Sequence, residues 1–296
     1  MTPLSSERDP QDSVINDMIP LQYLLRFIEE DAPFGDVTSD AIIPDITCRA
    51  VIRSEQKGII AGIEEASALF MHFGIIADPR KHDGDTIIPE EIVLSLAGSA
   101  KGILLVERTA LNIIGRMSGI ATQTRKMVEI VHAVNPACRI ASTRKTSPGF
   151  RALDKKAVQL GGGDPHRMCL SDGILIKDNH LMLVPLTDAI RAAKAVSAYR
   201  KLEVEVETPQ DALTAAKTGA NIILLDNMGP ELVRETLASL KQAGLRDRVM
   251  IELSGGIGEA TLPVYAILDI DVISVGALTH SVKNFSVTLE ILPGTG

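Results

Sequence analysis

The sequence predicts an α/β protein, with a mixed N-terminal region followed by a parallel α/β barrel. Aromatic residues make up only 3% of the 296 residues and Trp is absent, so aliphatic side chains must build the core, which favours a parallel α/β sheet. From residue 139 onward, six β-rich runs alternate with helical runs, as in a parallel sheet with helical crossovers. Before residue 100, strand and helix patterns do not alternate strictly, which is typical of an α+β region.

The N-terminal region begins with a polar stretch without periodicity, which predicts a loose tail over 1–18. Apolar spacing then predicts short elements: a helix over 21–30, a strand over 48–54, a helix over 62–73, and strands over 84–88 and 92–96. A long helix over 105–134, interrupted near Gly119, leads to the second region. We therefore predict an N-terminal domain over 19–118 and a barrel domain over 119–283.

The barrel is predicted from the repeated βα pattern. The β-rich runs are 139–143, 173–177, 201–207, 221–226, 249–253 and 271–275. The helical runs between them are 151–160, 186–198, 210–218, 230–243 and 259–268. A closed or nearly closed barrel is the first interpretation and a doubly wound sheet the second. A weak strand pattern over 285–292 is expected to return to the N-terminal domain, which residues 284–296 would then join.

Composition excludes several classes of function. The formal net charge is −8 and the pI is about 5.3, which argues against a nucleic-acid surface. The early apolar run over 58–77 contains Glu64 and Glu65, so it does not predict a membrane span. The cysteines, Cys48, Cys138 and Cys169, have neither disulfide nor metal-ligand spacing, and we predict buried, reduced thiols in a cytoplasmic protein.

Cations are concentrated in one short part of this acidic chain. Arg144, Lys145, His166, Arg167 and Lys177 lie within 40 residues beside Gly and Pro turns. Guanidinium and ammonium groups match carboxylate and phosphate geometry, so this concentration indicates an anionic ligand. Lys177 ends an apolar strand pattern, where it could form a Schiff base or act as a fixed cation, and the neighbouring cations favour the fixed cation.

Carboxylates follow the next two strands of the predicted barrel. Glu203, Glu205 and Glu207 have the period-2 spacing of one strand face, and Asp226 ends the following run. The carboxyl ends of parallel strands meet at one edge of a barrel, where active sites are built. An inward row of carboxylates at that edge suits Mg²⁺ or a ribose diol.

Glycines follow three predicted elements. Gly161, Gly162 and Gly163 could form a helix C-cap or let the backbone approach a ligand. The turn over 254–258 follows a strand and is predicted to open a helix, which would make a phosphate nest. The turn over 276–280 follows the next strand, and the last two βα loops of a barrel often bind phosphate together.

Nine segments in this order resemble the quinolinate phosphoribosyltransferase family: 107–112, 118–122, 143–146, 161–163, 166–167, 177–180, 225–228, 254–256 and 276–280. The resemblance implies an N-terminal open-faced α/β sandwich, a C-terminal incomplete α/β barrel of the type II phosphoribosyltransferase kind, and a homodimer or larger homo-oligomer. It implies transfer of phosphoribosyl from phosphoribosyl pyrophosphate to quinolinate, giving nicotinate mononucleotide, pyrophosphate and CO₂, with Mg²⁺.

The resemblance also implies roles for individual residues. The catalytic residues would be Lys145, Lys177, Glu205 and Asp226, of which Glu205 and Asp226 would hold Mg²⁺. The substrate-binding residues would be Arg108, Thr143, Arg144, Lys145, His166, Arg167, Lys177, Glu205, Asp226, Ser254, Gly255, Gly256, Val275, Gly276 and Ala277. Arg108 would reach the site of a neighbouring subunit.

The chain departs from the family pattern at Pro165, where many members carry Asn before the His-Arg pair. Three alternatives remain open: a related phosphoribosyltransferase of the molybdate-transport branch with another acceptor, a non-catalytic anion-binding homologue, and a Schiff-base aldolase using Lys177. The intact segment over 177–180 favours quinolinate as the acceptor.

Overall fold

The structure is a computed structural model that describes residues 19–293. Its strands are β1 (Thr47–Ser54), β2 (Gly58–Ile59), β3 (Ile76–Pro79), β4 (Thr86–Ile87), β5 (Ile92–Ser99), β6 (Arg139–Ala141), β7 (Ile174–Ile176), β8 (Leu202–Val206), β9 (Ile222–Asp226), β10 (Met250–Ser254), β11 (Val272–Ser274) and β12 (Val287–Ile291). Its helices are α1 (Leu21–Asp31), α2 (Val37–Ile42), α3 (Ile63–His72), α4 (Ala100–His132), α5 (Arg151–Leu160), α6 (Asp178–Leu181), α7 (Leu186–Val196), α8 (Pro209–Thr218), α9 (Pro230–Gln242), α10 (Leu262–Ala266) and α11 (Ala277–His280). The tail predicted over 1–18 lies outside the described residues.

The N-terminal sheet is antiparallel and has the order β12-β1-β5-β3. Ile52 pairs with Leu94 of β5 and with Leu289 of β12, so the last strand of the chain joins the first sheet. Ile52 and Leu94 are fully buried in a cluster that also includes Leu69 and Phe70 of α3. One apolar face is therefore covered by helices, as expected for an open-faced α/β sandwich.

Helix α4 links the two regions without a break. It spans 33 residues, so the predicted interruption near Gly119 is wrong. A Cβ at Gly119 would lie 2.2 Å from the carbonyl oxygen of Lys283. The glycine therefore allows the C-terminal segment to cross the helix closely, and the helix continues through it because tertiary packing outweighs the low helix propensity of glycine.

The second sheet confirms the predicted incomplete barrel. Its six parallel strands have the order β6-β11-β10-β9-β8-β7, which is a barrel opened between β6 and β7. At the open edge, Asp164 forms a parallel bridge with Ala141 of β6. The carboxyl ends of all six strands therefore lie on one side, and the segment around Asp164 lies next to the opening.

Three local predictions are wrong. Glu207 follows the end of β8 and is exposed, because the strand is shorter than its pattern. The helix predicted over 259–268 is reduced to α10, so the turn over 254–258 does not open directly into a helix. Only Cys138 of the cysteines is buried, since Cys48 and Cys169 are partly exposed. Within residues 19–293, no helix combines the length and apolar character needed to cross a bilayer.

Candidate active site

A cavity of about 500 Å³ opens at the carboxyl ends of the barrel strands. Most of its lining residues lie in the barrel strands or in the loops that follow them. The lining residues are Ser142, Thr143, Arg144, Lys145, His166, Arg167, Leu175, Lys177, Asp178, Asn179, Glu205, Leu224, Asp226, Glu252, Ser254 and Ser274. The cavity is large enough for a drug-sized ligand and carries both cations and carboxylates.

The cavity brings together most of the predicted site residues. Those that line it are Thr143, Arg144, Lys145, His166, Arg167, Lys177, Glu205, Asp226 and Ser254. Those that do not are Arg108, Gly255, Gly256, Val275, Gly276 and Ala277. The glycines still lie near the lining, because Gly255 and Gly256 follow Ser254, and a Cβ at Gly276 would lie 3.4 Å from Lys145 Cδ.

Sequence reasoning missed the inner layer of the cavity. Leu224 and Glu252 lie two residues before Asp226 and Ser254, so each pair faces the same side of its strand. Ser274 ends β11, two residues before Gly276. The period-2 rule that identified the glutamates of β8 predicts these positions too. Applied to every barrel strand, it would have found them.

The acidic half of the cavity comes from β8 and β9. Glu205 accepts a hydrogen bond from Lys177 Nζ through Oε2. Asp226 accepts one from Asn227 Nδ2 at 2.6 Å. The carboxylate that holds the Lys177 ammonium favours a fixed cation over a Schiff-base nucleophile.

The basic half comes from the loop after β6 and from the segment before β7. Arg144 Nε is buried and has no hydrogen-bond partner among the described residues. Arg167 Nη1 donates to the carbonyl of Gly173 at 3.3 Å, and burial together with the nearby Arg144 lowers the pKa of Arg167. Two guanidinium groups close enough to disfavour each other indicate that an anion is the intended partner.

His166 lines the cavity and connects its two halves. Its Nε2 lies 3.5 Å from Glu203 Oε2 and 3.4 Å from Glu252 Oε1, and both glutamates are buried. Burial opposes charge on the ring, but the two carboxylates outweigh it and raise the pKa of His166 to about 10. The group therefore keeps its proton at neutral pH.

The protonation pattern of this group follows from a backbone contact. The Arg167 amide donates to His166 Nδ1 at 2.7 Å, which requires a lone pair on that nitrogen. Nε2 therefore carries a proton, which faces the two glutamates. Burial raises the pKa of Glu203, and the hydrogen bond from His166 opposes this rise. The three side chains also have metal-ligand proximity, and a metal would have to displace the Nε2 proton.

The triple glycine has a structural explanation. A Cβ at Gly161 would lie 2.5 Å from the carbonyl oxygen of Ala121, and one at Gly163 would lie 2.7 Å from Thr124 Cγ2, both on α4. Gly162 has a φ of 89°. These glycines end α5 and let the chain cross α4 closely. The helix-cap interpretation therefore holds, and the close approach is to a helix rather than to a ligand.

Arg108 lies apart from the cavity of its own chain. It projects from α4 with 66% of its side chain exposed, and its nearest ionic partner is Glu107 at 4.0 Å. An exposed arginine without a close partner makes little contribution to the stability of one chain.

Comparisons with known proteins agree on one family. Residues 36–118 match the model of the quinolinate phosphoribosyl transferase N-terminal domain and residues 120–290 that of the C-terminal domain. The chain is 46% identical to the "Probable nicotinate-nucleotide pyrophosphorylase [carboxylating]" of Methanothermobacter thermautotrophicus, covering 92% of this chain and 98% of that one. It is 33% identical to the rat (Rattus norvegicus) nicotinate-nucleotide pyrophosphorylase (carboxylating), covering 90% and 88%.

Solved structures give the same result. The crystal structure of NadC from Streptococcus pyogenes superposes with a TM-score of 0.85 at 34% identity, covering 94% of this chain and 100% of that one. The nicotinate-nucleotide pyrophosphorylase from Ehrlichia chaffeensis superposes with a TM-score of 0.86 at 29% identity, covering 92% and 98%. This chain belongs to the quinolinate phosphoribosyltransferase family.

Proposed function

We propose that this protein transfers the phosphoribosyl group of phosphoribosyl pyrophosphate to quinolinate and releases CO₂, giving nicotinate mononucleotide and pyrophosphate. One observation carries the proposal: cations from one side of the barrel and carboxylates from the other face each other across a single cavity. A dianionic ring fits the first side, and a sugar diol fits the second. Family membership supports the same reaction.

The acid would bind in the basic half. Arg144 and Arg167 belong to that half, and Lys177 also lines the cavity. Two carboxylates of one ring need partners of this kind. The buried and unpaired Arg144 Nε supports this role, because a buried donor without a partner is costly unless a ligand completes it.

The sugar phosphate would bind in the acidic half, with its phosphates toward Ser254 and the neighbouring glycines. Gly255 and Gly256 have φ values of 98° and 63°, and a Cβ at Gly256 would meet nothing within 4 Å. Successive amides in such a turn can hold a phosphate. Lys145 lies beside the next loop, because Thr279 Oγ1 donates to its carbonyl at 2.8 Å.

The residues present fit Mg²⁺. This cation is usually held by one or two carboxylates together with substrate phosphates and water. Glu205 and Asp226 supply two carboxylates from adjacent strands, and Glu205 keeps Oε1 outside its ion pair with Lys177. Mg²⁺ would neutralise charge on the departing pyrophosphate.

The chemistry would depend on position and charge. The pyridine nitrogen attacks ribose C1 while the bond to pyrophosphate breaks, and positive charge develops on the sugar. Glu205 and Asp226 face that charge, which preorganised carboxylates stabilise. The pyridinium product then loses its adjacent carboxylate as CO₂. The electron pair stays on the ring carbon, which takes a proton from water or a site residue.

The active form would be a homodimer or a larger homo-oligomer. The exposure of Arg108 and its absence from the cavity of its own chain support delivery of this residue to the site of a second copy. The cytoplasmic location expected from the cysteine pattern stays a prediction.

A CO₂-release assay tests the proposed function. Purified protein is supplied with carboxyl-labelled quinolinate, phosphoribosyl pyrophosphate and Mg²⁺, and nicotinate replaces quinolinate in a parallel reaction. We expect CO₂ and nicotinate mononucleotide from quinolinate only. A second reaction without Mg²⁺ tests the cation. Binding of quinolinate without turnover would instead identify a non-catalytic anion-binding protein.

A further inference from the structure

Lys155 is a fully buried lysine that takes no direct part in the proposed chemistry. It lies on α5 and is 0% exposed. Its Nζ donates to Ser142 Oγ at 3.3 Å and to the carbonyl oxygen of Pro165. Ser142 Oγ in turn donates to the same Pro165 oxygen at 2.9 Å. A buried ammonium is expensive, so its retention calls for a specific role.

The contacts of Lys155 join the two segments that form the basic half of the cavity. Ser142 begins the loop that leads to Arg144, and Pro165 precedes His166 and Arg167. The Ser142 amide donates to the carbonyl of Asp164 at 3.0 Å, so the two segments also pair through their backbones. Lys155 thus lies behind the basic half and contacts both of its loops.

The peptide that Lys155 holds is conformationally unusual. His166 has a φ of 55°, one of the few positive values at a residue other than glycine among residues 19–293. Its amide donates to Asp164 Oδ1 at 2.7 Å. A residue persists in this region only when its surroundings fix it. Pro165 has no backbone N–H, so its carbonyl is the main backbone group through which hydrogen bonds can fix this peptide.

We propose that Lys155 is a positioning residue, which fixes the Pro165–His166 peptide and thereby sets His166 and Arg167 against Arg144 for binding of the acid substrate. The inference rests on the proposed function, because it concerns binding of the acid substrate in the basic half. Lys155 acts through the loops and does not line the cavity.

The next residue provides a matched control. Lys156 lies on the same helix but faces the N-terminal region, where its Nζ is 2.7 Å from Glu64 Oε2, 2.7 Å from Glu65 Oε1 and 3.4 Å from Asp83 Oδ2. The same substitution removes one ammonium in each case, from the fully buried Lys155 and from Lys156, whose side chain is 12% exposed. Only the first contacts the cavity loops.

Steady-state kinetics of Lys155→Met and Lys156→Met test the inference. Methionine has a similar length but cannot donate, so Lys155→Met leaves the Pro165 carbonyl without its lysine partner. We expect the KM for quinolinate to rise about 10-fold or more, since loss of a hydrogen bond from a charged donor has effects of this size. The KM for phosphoribosyl pyrophosphate should change much less. Lys156→Met should lower the Tm and leave the KM for quinolinate at the wild-type value.

Ser142→Ala is the second variant, in case Lys155→Met does not fold. It removes the hydroxyl that accepts from Lys155 and donates to the Pro165 carbonyl, and it keeps both loops and the charge. We expect a smaller rise in the KM for quinolinate, again without an equal rise for phosphoribosyl pyrophosphate. In a double-mutant cycle, the two substitutions should be less than additive, because they remove parts of one network.

The outcomes separate the two proposals. No CO₂ release and no calorimetric binding of quinolinate by the wild-type protein would refute the proposed function, and the inference with it. Wild-type turnover with an unchanged KM for quinolinate in Lys155→Met, or in Ser142→Ala if only that variant folds, would overturn the positioning role alone. An equal rise of both KM values would also overturn it, because it would indicate general loosening of the barrel.

Discussion

The N-terminal sheet and the barrel differ in strand direction and in what their strands contribute to the cavity. The N-terminal sheet is antiparallel, packs one face against helices, and supplies no lining residue to the cavity of its own chain. The barrel is parallel and carries carboxylates on strand positions that point inward. The difference shows that chemistry is concentrated where strand ends converge. The first sheet acts as a support, and helix α4, as we propose, supplies Arg108 to a second copy.

Removing Arg144 from the barrel cavity should cause the largest loss of activity among the predicted changes. We expect Arg144→Ala to lower kcat/KM for quinolinate roughly 100-fold or more, because truncating one partner of a desolvated charge pair has effects of this size. The CO₂-release assay measures the loss. Arg191→Ala, at an exposed arginine of α7, is the control and should retain wild-type activity. Wild-type kcat/KM in Arg144→Ala would show that Arg144 does not bind the acid substrate in the basic half.

Arg108→Ala tests the N-terminal contribution. We expect the variant to be nearly inactive, although Arg108 does not line the cavity of its own chain. Mixing it with inactive Arg144→Ala should restore about a quarter of wild-type activity. Half of randomly mixed dimers contain both variants, and each of those has one intact site of two. Mixed dimers without any activity would argue that Arg108 acts within its own chain.

Lys156→Met should weaken the contact between the N-terminal region and the barrel. Glu65 and Asp83 are almost completely buried, with side chains 2% and 4% exposed, and would lose their cation. We expect the free energy of unfolding to fall by about 3 kcal/mol, the size found when one partner of a buried ion pair is removed. Urea unfolding followed by circular dichroism measures it. Stability equal to wild type would show that solvent or neighbouring groups compensate.

The pH dependence of the wild-type protein gives the smallest predicted effect. Burial, with nearby Arg151, Arg144 and Arg167 opposed by Asp164, lowers the pKa of Lys155 from 10.5 to about 8. Because the folded value is the lower one, Lys155 reduces stability below pH 8, and this penalty is relieved as the pH rises toward 10.5.

Substrate binding should change in the opposite direction over the same range. Above about pH 8, Lys155 loses its charge, so we expect the KM for quinolinate to rise while the KM for phosphoribosyl pyrophosphate changes less. In Lys155→Met the KM for quinolinate should lose this pH dependence. A pH profile of Lys155→Met parallel to that of wild type would assign the dependence to another group.

The barrel was largely predictable from the sequence because its signal is local. Most barrel strands are apolar-rich runs with a polar residue at their end or within two residues after it, and Lys177 and Asp226 were found from this pattern alone. The position of Gly119 shows the limit. A glycine in a helical pattern predicted a break at this position. The structure instead shows that Gly119 leaves room for the backbone of Lys283, a residue distant in sequence whose contact periodicity cannot predict. The His166 group was missed for the same reason, since Glu203 and Glu252 meet only after the barrel closes.

The pairing of β12 with β1 has a consequence for the order of folding. During synthesis, β1 emerges early, but its outer neighbour is translated only after the whole barrel. Until then β1 exposes an unpaired edge, which is a template for pairing with other chains. The barrel must therefore be synthesised before β12 can pair with β1 and complete the N-terminal sheet. Loss of β12 would leave the edge of β1 exposed to aggregation.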